Sequence, residues 1–344
     1  MLLVIFGAGA SYDSVAARRP SGAQSGDLHD RMPLAHQLFD DRPGFIEDLN
    51  RFPECKRIVQ ELRVPRTGGQ FEEFLRKLQS EADTYPDRHI QLAAIRFYLR
   101  NMLWRCEDRW FDQHHGVTNY SNLLDQLNMW VPKQQKILLV TFNYDRMLER
   151  ALEQFGCSFK EISEYTQHPR FKLFKLHGSV NWGRRVLNYL GEWKEQNHKN
   201  HETMKELIQR ASSLMLSDQY KVIDHPDVVV NGGAVYFPAL ALPIDKKQGF
   251  DCPQTHLDLL CQDLKDVIRI MTIGWRGSEA HFLELLKTNL PRSASLMVVA
   301  KDGTESHDIG KHLESNGIVQ ALTAYPGGFS DFVPSRNGEK FLRF

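Results

Sequence analysis

The chain opens on Leu2-Leu3-Val4-Ile5-Phe6-Gly7-Ala8-Gly9-Ala10-Ser11, an apolar run with no polar alternation that turns at once into two glycines and a serine. A run of that kind offers no face to solvent, which is the pattern of a strand covered on both sides in a parallel sheet. It has no basic flank and no long apolar continuation, so it reads as a strand and not as a signal peptide. Ile137 to Thr141, Val228 to Phe237 (interrupted by Gly232-Gly233), Val267 to Ile273 and Leu296 to Ala300 share its character. Helical patterns follow most of them, at Tyr144 to Phe155, Ser278 to Leu290 and Glu305 to Ser315. Strand, short loop and helix in repetition predict an α/β fold with a doubly wound, parallel, Rossmann-like sheet.

Between the first strand and Ile137 the alternation is suspended. Asp13 to Arg31 is rich in Ser, Gly, Ala, Arg and Asp and reads as a mobile loop beside the first turn. Leu34 to Phe39, Phe71 to Leu78, Ile90 to Trp104 and Tyr120 to Trp130 then carry apolar residues at three- and four-residue spacing, with Pro43, Pro53, Pro65 and Pro86 as punctuation. A large all-helical insertion over 32–132 is therefore expected after the first strand, and a smaller, charged helical hairpin over 187–216, both within one domain spanning 1–344. The aromatic residues of the larger module, such as Phe71, Phe74, Phe97 and Trp104, fall at helical spacing and read as core.

Composition narrows the functional classes. The 344 residues are 42% hydrophobic, enough for a sizeable core. Lys and Arg total 43 and Asp and Glu total 43, so no global field draws nucleic acid or anionic membrane, and direct binding of either is not expected. The five cysteines are scattered and never spaced Cys-x-x-Cys, which predicts reduced thiols in the cytoplasm and no zinc site. No apolar run approaches the roughly 20 residues needed to span a bilayer.

Four short stretches carry candidate chemistry. In Gly7-Ala8-Gly9-Ala10-Ser11 the glycines permit a tight turn and let backbone amides approach a pyrophosphate, with the next helix N-terminus adding partial positive charge. Tyr12 stands where a third glycine would complete a dehydrogenase fingerprint. Thr141-Phe142-Asn143-Tyr144-Asp145 lies at the carboxyl end of a buried strand, where open α/β sheets bind ligands. A helix cap explains one of Asn143 and Asp145 but not both. Lys175-Leu176-His177-Gly178-Ser179 sets an imidazole at a strand end, suited to act as a general base. Gly274-Trp275-Arg276-Gly277-Ser278-Glu279 repeats the pattern of strand, glycine turn and polar helix start.

Taken in order, the four stretches resemble the sirtuin-like family, in which a Gly-Ala-Gly-x-Ser turn, a Thr-x-Asn-x-Asp strand end, a His-Gly pair and a late glycine-serine turn line one NAD site. The form Lys175 to Ser179 with Trp182 is most similar to the divergent bacterial branch, and the resemblance covers roughly half of the chain. It implies NAD as substrate, with Asn143 and His177 catalytic. Asn143 would hold water or the nicotinamide ribose, and His177 would act on the ribose hydroxyls or as base. Gly7, Ala8, Gly9, Ala10, Ser11, Thr141, Asp145, Gly178, Gly274, Ser278 and Glu279 would bind the dinucleotide. Two departures weaken protein deacylation: the zinc-binding Cys-x-x-Cys pairs of deacylating sirtuins are missing, and Phe142 replaces the glutamine of the sirtuin Thr-Gln-Asn pattern.

The resemblance implies an NAD glycohydrolase of the antiphage-defence type, releasing nicotinamide and ADP-ribose. It further implies a homo-oligomer and a separate trigger protein, a HerA-type ATPase or an Argonaute-like protein. The alternatives are a sensor or scaffold that binds NAD or an ADP-ribose-type nucleotide without turnover and, less favoured, a zinc-free protein deacylase. His198 and His201 read as part of a solvated charged helix, and His114 and His115 as a turn.

Overall fold

The computed structural model describes residues 1–15, 29–63, 68–189, 196–242, 249–291 and 294–343, and the backbone alone of 68–71 and 196–199. Its strands are β1 (Leu2–Phe6), β2 (Ile137–Thr141), β3 (Phe171–Lys175), β4 (Gly178–Val186), β5 (Leu216–Val222), β6 (Val230–Asn231), β7 (Ala234–Leu240), β8 (Arg269–Ile273), β9 (Ala294–Ala300) and β10 (Val319–Pro326). Six form a sheet in the order β10-β9-β8-β1-β2-β3, in which every neighbouring pair is parallel. The chain leaves β1 in one direction through β2 and β3 and in the other through β8, β9 and β10. This is a doubly wound, Rossmann-like α/β sheet whose switch point lies between β1 and β8. The opening run earns its central place: all five residues of β1 are fully buried.

Helices fill the interval between β1 and β2. They are α1 (Ala8–Tyr12), α2 (Pro43–Asn50), α3 (Pro53–Arg63), α4 (Gly68–Glu81), α5 (Asp87–Gln113) and α6 (Asn119–Trp130). Pro43 and Pro53 begin α2 and α3 where punctuation between helices was expected, because a proline at the first helical position lacks only an amide that would have had no partner. The long α5 is buried on most of its circumference because it is surrounded: α2, α3, α4 and α9 (Gln196–Gln209) pack on it, and it reaches β4 and β7.

A second, antiparallel sheet has the order β5-β4-β7-β6. Two expectations are corrected here. Val228 to Phe237 does not join the parallel sheet: Gly232 and Gly233, both at positive φ, turn β6 back onto β7 as a hairpin of the second sheet. The expected hairpin over 187–216 is, among the described residues, one helix and a 3-10 turn running into β5, and it is not wholly solvated, since Met204, Leu207 and Ile208 are buried. His201 is exposed, as a solvated face predicts, while the side chain of His198 and the loop residues 16–28 lie outside the described residues. Between β2 and β3 lie α7 (Met147–Glu153) and α8 (Glu164–Gln167), α10 (Gln254–Leu264) precedes β8, and α11 (Ala280–Asn289), α12 (Gly303–Ser315) and α13 (Gly328–Ser335) complete the second half. Among the described residues no helix is long and apolar enough to cross a membrane.

His256 of α10 joins the two sheets. Its ring meets Phe174 of β3 and Trp182 of β4 edge-on, with centroids 6.3 and 5.8 Å away. Its Nε2 lies 3.0 Å from the Ile162 carbonyl, which can only accept, so Nε2 carries the proton. Burial pushes the imidazole pKa down to about 4. The unfolded chain therefore takes up a proton near pH 6.5 that the native state refuses, and the stability His256 contributes is present above pH 6.5 and lost as pH falls through about 4. Thermal unfolding followed from pH 7 to pH 4 is expected to show a loss of about 3 kcal/mol in the native chain that His256→Gln does not show. Equal slopes in the two proteins would remove His256 from the account.

Candidate functional site

A cleft of about 590 Å³ opens at the carboxyl ends of the parallel strands. At its floor the turn after β1 lies directly on the turn after β8. The Gly7 amide donates to the Ile273 carbonyl and the Gly9 amide to the Gly274 carbonyl, each at 3.1 Å. A Cβ on Gly7 would stand 2.5 Å from the Gly274 oxygen, and one on Gly274, which has φ +58°, would stand 2.3 Å from the Ala10 nitrogen. These glycines are thus required by backbone packing on backbone. The Gly7 and Gly9 amides are thus already bonded across the switch point.

Asn143 sits above that floor and is 7% exposed. Its Nδ2 donates to the Gly7 carbonyl and to Ser11 Oγ, both at 2.9 Å, and lies 3.3 Å from the Tyr120 hydroxyl. Its main-chain nitrogen donates to Thr141 Oγ1 at 3.0 Å. Asp145 takes the capping role foreseen for one of the pair, its Oδ1 accepting from the Met147 amide at 3.1 Å at the start of α7.

His177 faces the same cleft from the end of β3. Its ring meets Phe142 edge-on at 4.9 Å, and Phe142 in turn stacks on Trp275, with centroids 5.8 Å apart and planes 10° from parallel. Phe142 thus replaces a polar neighbour with an aromatic wall. Glu279 holds that wall, accepting from Trp275 Nε1 at 2.5 Å. Tyr144 stacks near the imidazole with centroids 6.4 Å apart and donates through its hydroxyl to the Ala241 carbonyl at 2.6 Å. Burial pushes its phenol pKa far above the usual value, so it remains neutral.

Carboxylates on the far wall are committed to protein groups. Asp13 Oδ2 accepts from the Ser330 amide at 2.9 Å at the start of α13, and Glu305 Oε2 from the Lys301 amide at 3.2 Å beside α12. Behind the cleft, Lys175 is fully buried, donating to the Asp145 carbonyl and pairing with Glu149 at 2.8 Å. Burial pushes the Glu149 carboxyl pKa up, with Lys175 opposing it.

Of the residues singled out from sequence, Gly7, Ala8, Gly9, Ser11, Asn143, Asp145, His177, Gly274, Ser278 and Glu279 line this cleft. Ala10, Thr141 and Gly178 do not: Ala10 and Thr141 are buried behind it, and Gly178, with φ +77°, is pressed against the Ala239 carbonyl of β7. The stretch Gly274 to Glu279 was read as a strand, glycine turn and helix start, and Trp275 within it forms a wall, whereas sequence reading missed Tyr120, Phe250 and the segment Gly327 to Ser330. No local signal marks them. Among the described residues no cluster of His, Cys, Asp and Glu could hold a metal ion.

Residues 137–217, which carry Asn143, Asp145 and His177, match the model of the SIR2-like domain. Over that stretch the chain is similar to the SIR2-like family. No curated protein matches it in sequence. Solved structures with which it aligns include a Sir2 homologue mutant in complex with 2′-O-acetyl-ADP-ribose (12% identity, 100% of this chain and 93% of that one, TM-score 0.47). A Sir2 homolog–NAD complex aligns at 11% identity over 99% and 90% of the chains, with TM-score 0.43. Sir2Tm bound to a propionylated peptide aligns at 15% identity over 99% and 94%, with TM-score 0.40.

The floor of the cleft yields a direct test. Gly274→Ala is expected to cost about 3 kcal/mol or more, because it adds a backbone clash to an unfavourable φ. Gly156→Ala, at φ +81° with nothing within 4 Å of the added carbon, isolates the conformational cost of about 1 kcal/mol. Denaturant midpoints of the two variants should differ accordingly, and equal losses would show that turn-on-turn packing adds nothing.

Proposed function

We propose that the chain is an NAD glycohydrolase, cleaving NAD to nicotinamide and ADP-ribose, and that it acts as an NAD-depleting effector in antiphage defence under the control of a separate trigger protein, a HerA-type ATPase or an Argonaute-like protein. The observation that carries the enzymatic reading is the pairing of an oriented amide, Asn143, with an imidazole, His177, in one cleft at the switch point of a Rossmann-like sheet. A cleft of about 590 Å³ is in the range of small-molecule sites. Its glycine-turn end, with Gly274, Ser278 and Gly327 to Ser330, suits the nucleotide half of NAD. Its aromatic end, with Phe142, Tyr144, Trp275 and His177, suits the nicotinamide half.

Departure of nicotinamide leaves an oxocarbenium-like ribose, which a positioned water attacks. With Nδ2 committed to Gly7 and Ser11, Asn143 has its Oδ1 left to orient that water or a ribose hydroxyl. His177 is the proton acceptor, and its ring neighbours keep it between an apolar wall and Tyr144. No covalent nucleophile is needed.

Purified protein incubated with NAD at neutral pH, alone and with the protein encoded beside it, is expected to release nicotinamide. His177→Ala and Asn143→Ala should each lower the rate by about 100-fold or more while NAD binding, read by calorimetry, persists. Binding without release in every combination would overturn hydrolysis in favour of a nucleotide sensor. Undiminished release in Asn143→Ala would remove that residue from the mechanism.

A further inference from the structure

The helical insertion lines part of the cleft, with Met32 to His36, Glu72 and Leu103 among its walls, and one of its buried side chains reaches the Asn143 amide from behind. Tyr120 is the second residue of α6, whose start is fixed by Thr118 accepting from the Ser121 amide. It is 1% exposed, its ring packed on Phe6 of β1 and on Phe329 of α13 with centroids 5.3 and 5.4 Å away. Packing alone would be served by phenylalanine. The hydroxyl, however, lies 2.9 Å from Ser11 Oγ and 3.3 Å from Asn143 Nδ2, in a place water does not reach.

The donors and acceptors around Asn143 leave little freedom. The Gly7 carbonyl only accepts, so the nitrogen end of the amide must face it. One N–H is spent there, and the other falls between the oxygens of Ser11 and Tyr120. The two hydroxyls share a hydrogen bond, and burial together with the Asp145 charge holds the phenol protonated. Ser11 by itself is a short hydroxyl free to rotate about one bond. Tyr120 is rigid and clamped between two aromatic rings, so it fixes the direction in which Ser11 presents its lone pair.

We infer that Tyr120 is a positioning residue: through Ser11 it locks the Asn143 amide so that Oδ1 is directed away from the sheet and toward the ligand. The inference rests on the proposed NAD-cleaving reading for its kinetic consequence, though not for its geometric one. It gives the helical insertion a part in the reaction beyond covering the sheet, since α6 delivers a group that no strand-end loop supplies.

Tyr120→Phe keeps the ring and removes the oxygen. It is expected to lower kcat for nicotinamide release about tenfold, with KM for NAD within twofold of the native value and the melting temperature little changed. Ser11→Ala should do the same, and the double variant should be no slower than the slower single one, because both substitutions break one chain of bonds. A product of the two separate losses, or an unchanged kcat in Tyr120→Phe, would overturn the inference. The side-chain amide protons of Asn143, assigned by their disappearance in Asn143→Ala, provide a readout independent of turnover. In Tyr120→Phe they should shift and exchange with water faster. If the native protein releases no nicotinamide, the proposed function fails, while the amide protons still decide the role of Tyr120: an unaltered pair would overturn it.

Discussion

Everything in this molecule is arranged around the place where two turns touch without side chains between them. β1 and β8 are neighbours in register, Leu2 beside Arg269 through Phe6 beside Ile273, and both end in glycine. With a Cβ at position 7 or 274 the turns could not close to the 3.1 Å hydrogen bonds that join them. Because β2 then follows on one side and β9 on the other, the connections leave to opposite sides and a crevice opens above the joined turns. The contact thus builds the floor on which Asn143 stands, and it consumes the Gly7 and Gly9 amides that would otherwise be free for a ligand.

A second constraint aligns the loops that carry Asn143 and His177. The Lys175 ammonium is fully buried, and removing an ion from water is unfavourable unless its hydrogen-bonding capacity is met. It is met by Glu149 of α7 and by the Asp145 carbonyl, so the cation ties the loop after β2 to the end of β3. Two residues beyond Lys175 stands His177, and two residues before Asp145 stands Asn143. The pair contributes geometry more than stability, since a buried ion pair gains little over apolar residues of equal volume.

How much of this could be read from sequence follows from where each residue spends its side chain. β1, β2, β8 and β9 were legible because strands buried on both faces are mostly apolar runs, broken here only by Arg269 and Thr272 in β8, Thr141 at the end of β2 and Ser295 in β9. β5, Leu-Ser-Asp-Gln-Tyr-Lys-Val, is half exposed and mixed in character, and β10 lies at an open edge, so neither shows such a run. Val228 to Phe237 is apolar enough for the parallel sheet, and only its glycine pair hints at the hairpin it forms. Asn143, Asp145 and His177 were legible as polar residues at strand ends. Tyr120 was not, because its helical spacing looks like core packing, and it is indeed core at its ring, with only its oxygen turned to Ser11 and Asn143. One side chain with two roles leaves a trace of the commoner role alone.

The junction between the two sheets explains why an imidazole can be held so firmly at a strand end. β3 and β4 are separated only by Leu176 and His177, yet they belong to different sheets. The Leu176 carbonyl accepts from the Asp251 amide and the His177 carbonyl from the Ala241 amide, both at 3.0 Å. Gly178 then turns the chain at φ +77°, so close to the Ala239 carbonyl that any side chain would collide with it. The main chain at the histidine is therefore held by bonds to the segments that follow β7, and its ring faces the cleft between Phe142 and Tyr144. A loop histidine would lose conformational freedom each time it engaged a ligand, whereas one mounted at this junction has lost it on folding. The antiparallel sheet is in that sense the mount for the imidazole, as the glycine turns are for the amide.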